Sequence, residues 1–81
     1  MTYLDRKYLE LEEKTAPVAN EYFKYRDWIK CELNWHRNNL SDGDIWWIGY
    51  LCRQFEEQKD KLKELAKEQA MLDEMRREMA V

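Results

Sequence analysis

Asn38-Asn39-Leu40-Ser41-Asp42-Gly43-Asp44-Ile45 divides the chain into two stretches of similar length. Asn and Gly accept backbone conformations that end a helix, and Asn38 or Asn39 is placed to do so. Ser41 followed three residues later by Asp44 has the spacing of a capping box, in which each residue satisfies a backbone N–H of the other. Leu40 and Ile45 occupy the two hydrophobic-staple positions around that cap. One helix therefore ends at this stretch, and another begins within it.

Working outward, both flanks carry a mostly apolar stripe at alternating steps of four and three residues. Upstream the stripe is Leu4, Tyr8, Leu11, Thr15, Val18, Tyr22, Tyr25, Ile29, Glu32 and His36. Downstream it is Ile48, Leu51, Phe55, Gln58, Leu62, Leu65, Gln69, Leu72, Arg76 and Met79. This spacing keeps side chains on one seam of a helix, as in a coiled coil. Two helices joined by a short turn and each bearing one seam predict an all-α fold, an antiparallel helical hairpin. The downstream helix is expected over 42–79, about 55 Å long at 1.5 Å per residue.

The upstream helix is interrupted in sequence by Thr15-Ala16-Pro17. Proline removes one helical hydrogen bond and clashes with the carbonyl four residues earlier, costing ~3 kcal/mol. Thr15 is also a competent cap for a new helix with Pro17 in its first turn. The reading is of helices over 3–14 and 16–37, kinked or broken near Pro17, a turn over 38–43, and one helical domain over 1–81. Thr2 and Asp5 repeat the capping-box spacing at the start of the first helix. Glu10 and Lys14 are spaced for an ion pair, as are the rows Glu56, Asp60, Glu64, Glu68 and Lys59, Lys63, Lys67.

With the turn near residue 41, an even antiparallel register sets Ile29 against Phe55, Tyr22 against Leu62, Val18 against Leu65, Leu11 against Leu72 and Leu4 against Met79. It also brings together the polar members, Thr15 with Gln69 and Tyr25 with Gln58, which suits buried groups that need partners.

The seam is not uniform. Near the termini its flanks are charged, whereas near the turn they are Trp28, Leu33, Trp35, Trp47 and Cys52. Nine of the eleven aromatic residues fall between Tyr22 and Phe55. A two-helix hairpin cannot bury so wide a face. Two arrangements would cover it: a homodimer forming a four-helix bundle, or a three-helix arrangement with the segment before Pro17 folded back. Trp46, Tyr50 and Phe23 fall on the outer sides of the helices. Together with Trp28, Trp35 and Trp47 they are the candidate partner-binding residues, because Trp and Tyr dominate interface energetics.

Composition narrows the function classes. The chain has 81 residues, of which 38% are charged, with two Gly and one Pro. At this length a single core is marginal and association is a common source of added stability. Seventeen acidic residues outnumber fourteen basic ones, for a formal net charge of −3. Non-specific nucleic-acid binding needs a basic face, so nucleic acid is not the expected partner. The basic-aromatic segment Lys24, Tyr25, Arg26, Trp28, Lys30, Trp35, Arg37 keeps single-strand stacking as an alternative, diluted by Glu21, Asp27 and Glu32.

No apolar run is long enough for a membrane helix, so no membrane association is expected. The start, Met-Thr-Tyr-Leu-Asp-Arg-Lys, lacks the pattern of a secretory signal. Cys31 and Cys52 are then expected as reduced thiols in a cytoplasmic protein. They lack Cys-x-x-Cys spacing, and Cys31 points outward, so no disulfide is expected between them. His36 is single and lies near a helix end, without the positioned groups that acid–base catalysis needs. Asp42-Gly43-Asp44 lacks the other ligands of a calcium loop. No catalytic residue, metal or cofactor is expected, and the chain is read as a non-enzyme.

The expected function is a small protein–protein interaction module, a steric inhibitor or regulator that docks its aromatic helical surface on a larger protein, with a homodimer expected. By analogy of size and composition, such chains suit regulators of larger nucleic-acid machines, including those made by phages. The alternative is a self-assembling structural bundle.

Overall fold

A computed structural model of the chain describes residues 2–36 and 39–80. Two helices, α1 (Tyr3–Trp35) and α2 (Asp42–Met79), pack against each other as an all-α hairpin. The molecule measures 60 × 18 × 16 Å, so α2 spans nearly its whole length.

Both helix starts follow the capping-box reading. The Thr2 hydroxyl accepts from the Asp5 N–H at 3.2 Å, and the Asp5 carboxylate accepts from the Thr2 N–H at 3.4 Å. The Ser41 hydroxyl accepts from the Asp44 N–H at 3.2 Å, and Asp44 accepts from the Ser41 N–H at 3.0 Å. Each box satisfies donors that a helix start leaves without intrahelical partners. Leu40 and Ile45, at the staple positions, are largely exposed.

Of the two readings at Pro17, a break or a continuous helix, the structure has the continuous one. α1 runs through Pro17 as one helix, so there are no separate helices over 3–14 and 16–37, and the fold-back third helix does not form. Thr15 explains the difference. Its hydroxyl donates to the Leu11 carbonyl four residues back at 2.7 Å, the bond a helical Thr makes, instead of capping a new helix. Leu11 is buried and Val18 half-buried on either side of the proline, so packing on α2 favours continuing the helix. Pro17 itself is exposed, which keeps the missing donor out of the seam.

At its other end α1 stops at Trp35. The His36 N–H still donates to the Glu32 carbonyl at 3.1 Å, and the Asn39 N–H donates to the His36 carbonyl at 3.2 Å. The expected left-handed terminator on Asn38 lies outside the described residues, as does Arg37. Asn39 does not adopt a positive φ.

Leu4, Leu11, Leu51 and Gln58 are the buried side chains among the described residues, and all four belong to the expected stripes. The register is mixed. Leu11 and Leu72 share one groove, Val18 and Leu65 another, and Thr15 and Gln69 a third, as expected. Nearer the turn, Tyr22 also stacks on Phe55, a pairing the even register does not set, with centroids 4.8 Å apart and planes at 28°. Met79, expected against Leu4, is exposed. An even register assumes side chains of similar reach, whereas flat rings gain more by stacking on one another.

The charge rows are also only partly realised. Glu64 and Lys67 pair at 3.1 Å. Glu10 pairs with Lys7 at 3.4 Å, not with Lys14. At the open end, the Tyr8 hydroxyl ties α1 to α2 by donating to Asp73 at 2.5 Å. No described helix is long and apolar enough to cross a membrane.

Candidate aromatic docking surface

The aromatic residues near the turn form two groups. The first begins on α1 with Trp28, whose indole meets that of Trp47 edge-on, centroids 5.4 Å apart and planes at 77°. The Tyr50 ring lies nearly parallel to Trp47 at 5.6 Å and to Trp46 at 6.1 Å. Residues three and four apart are neighbours on a helix surface, so the spacing of 46, 47 and 50 places these rings side by side. Trp28 extends the row onto α1. Four of the six expected site residues, Trp28, Trp46, Trp47 and Tyr50, are thereby joined into one row.

This row is not closed over. Trp46 is 65% exposed and Trp28 41% exposed, while Trp47 is half-buried. Leu51, one residue beyond Tyr50, is fully buried and anchors this part of α2. The Lys24 ammonium sits 4.8 Å from the centre of the Tyr25 ring. Its pKa is raised, chiefly by the Glu21 carboxylate at 2.8 Å, and the Tyr25 and Tyr50 hydroxyls add to the shift.

Phe23 belongs to the second group. It meets Tyr22 edge-on at 5.2 Å, and the Arg26 guanidinium stands 4.8 Å over its ring. That contact is worth about 0.5–1 kcal/mol at an exposed site. Trp35 joins neither group and is 83% exposed at the last residue of α1. Tyr22 and Phe55 were legible as seam positions but not as a stacked pair.

Two of the four basic residues in the basic-aromatic segment are paired with carboxylates. Lys24 pairs with Glu21, and Arg26 lies 3.5 Å from Asp27. His36 is set between carboxylates, its Nε2 3.3 Å from Glu32 and its Nδ1 3.7 Å from Asp44. These contacts link the end of α1 to the cap of α2. Cys31 and Cys52 are free and exposed. Among the described residues no three His, Cys, Asp or Glu side chains gather as metal ligands would.

What this arrangement offers chemically is apolar area with polar edges. Three indoles and a phenol on partly exposed rings can bind apolar surface while keeping a hydrogen bond at the rim. No protein-family model, curated protein or solved structure matches the chain.

Proposed function

We propose that this chain is a small non-enzymatic interaction module that docks its aromatic surface into a groove on a larger protein. The observation that carries this reading is the row Trp28–Trp47–Tyr50–Trp46, continuous across both helices and left partly exposed. Contiguous exposed apolar patches are uncommon on monomers and mark interaction sites. Trp and Tyr are also the residues on which binding energy concentrates. Trp46 is the anchor, and Tyr50 supports its indole from one helical turn away. The action is steric: a rod seated by its aromatic end blocks or bridges the partner, which suits an inhibitor or regulator. Free cysteines at positions 31 and 52 fit a reducing cytoplasm.

The test is affinity capture from the native host's lysate, with the W46A/Y50A variant as control. The double variant should keep its helical circular dichroism and lose the captured protein. Equal capture by the folded variant would remove this surface as the anchor.

A further inference from the structure

One face of the hairpin carries an apolar groove along its open half. Leu11, Leu72, Met71 and Met75 line it, with Lys14 at the α1 edge and Glu68 at the α2 edge. The groove continues toward the turn past Val18 and Leu65, again beside Lys14. At seven-residue steps, the side of α1 that holds Lys14 passes through Glu21 to Trp28. On α2, Glu68 leads back through Lys61 to Trp47, and Met71 leads back to Tyr50. Groove and aromatic row therefore lie on one side of the hairpin, separated by a polar middle of Glu21, Gln54, Glu57, Lys61 and Glu64.

We propose that a second copy of this chain covers that face. The two hairpins would be related by a two-fold axis along their length, so that α1 of each lies on α2 of the other. Three observations select this occupant. The accessible surface is 6612 Å², against about 5,300 Å² for a compact monomer of this mass; the surplus exceeds the roughly 800 Å² that a stable interface takes from each partner. Only three apolar side chains, Leu4, Leu11 and Leu51, are buried among the described residues, fewer than a chain of this size needs to hold its fold alone.

The third observation is the charge order on the two edges. From the open end, α1 presents Lys14 and then Glu21, while α2 presents Glu68 and then Lys61. The shared grooves put Val18 level with Leu65, and so Lys14 near the height of Glu68. With α1 laid on the other copy's α2, Lys14 meets the partner's Glu68, and Glu21, already paired with Lys24 at 2.8 Å, lies level with the partner's Lys61. Full overlap of α1 on α1 would instead bring Lys14 against the partner's Lys24. Lys14 and Glu68 make no ion pair within the chain among the described residues, so both are available across the interface.

Trp28 and Trp47 fall inside this dimer. Trp46 does not: it stands at the seven-residue step of the exposed Arg53, Asp60 and Lys67 and stays on the outer edge. Tyr50 lies on the covered side, so W46A alone separates the docking role of Trp46 from the dimer, and each can fail without the other.

The experiment is light scattering coupled to gel filtration at micromolar concentration, with circular dichroism to verify helicity. The wild-type chain should run at twice its mass. K14E and E68K, each alone, set like charges together twice per dimer and should weaken association at least roughly 10-fold. Mixing K14E with E68K restores opposite charges at both contacts and should return a dimer containing one of each. A monomeric wild type overturns the proposal, as does a mixture no better than either variant alone, because a contact within one chain cannot be repaired by mixing.

Discussion

The Trp28 indole meets the Trp47 indole edge-on, with ring centres 5.4 Å apart, and this contact joins the two helices at the turn end. An edge-to-face pair contributes about 0.5–1.5 kcal/mol beyond the area it buries. Both rings are only partly covered, so W28A should cost about 2 kcal/mol, less than the 3–5 kcal/mol of a fully buried aromatic. W47A should cost more, because Trp47 also stacks on Tyr50 at 5.6 Å. Urea denaturation at fixed protein concentration measures both. The double variant should cost less than the sum of the two singles, as expected for residues in contact.

Asp5 and Asp44 make stability depend on acid. Each carboxyl is held below the usual Asp range, chiefly by its cap: hydrogen bonds from the Thr2 side chain and then its backbone for Asp5, and from the Ser41 backbone and then its side chain for Asp44. His36 lowers Asp44 further. A folded pKa below the unfolded one means the stabilisation is complete above the unfolded value, near pH 4, and is lost as pH falls through the folded value. The thermal midpoint should fall on acidification below about pH 4. In D5N/D44N that slope should flatten, which thermal scans across the acid range would register.

Pro17 lies within α1 and lacks the N–H that would bond the carbonyl of Glu13. P17A restores that bond and removes the ring clash, so it should raise stability by roughly 1–3 kcal/mol. Denaturant midpoints of the two chains settle the point, and no gain would mean that the backbone around Pro17 has already relaxed.

Tyr8 should titrate late. Its hydroxyl donates to Asp73, which is the main reason its pKa lies above the ordinary phenol range, with burial and the Asp73 charge adding to the effect. Arg76, 5.8 Å from the ring centre, opposes the shift. The raised folded pKa means this tie between the open ends holds below the unfolded value, near pH 10, and is lost as pH rises through the folded one. Ultraviolet titration of D73A should show Tyr8 ionising earlier than in the wild type.

The helix starts were legible because a capping box is local: Thr2 with Asp5, and Ser41 with Asp44, require only three-residue spacing and one side-chain geometry. The fate of Pro17 was not legible, because the Thr15 hydroxyl has two local uses, capping a new helix or bonding the Leu11 carbonyl. Packing of Leu11 and Val18 on α2 decides between them. The register was legible where Leu and Val set the spacing, whereas the stacking of Tyr22 on Phe55 was not. The aromatic enrichment near the turn was visible in composition. Its division into a connected row and an isolated Trp35 was not, because heptad position does not specify which rings stack.

Trp46 is proposed to seat the hairpin on a larger protein. The most direct measurement places a photo-cross-linking amino acid at position 46, with a matched control at exposed Glu12, and illuminates the chain in host lysate. A discrete adduct with a larger protein is expected at position 46 and none at position 12, as docking through Trp46 requires. Equal labelling at the two positions, or adducts only between copies of the chain, would contradict it.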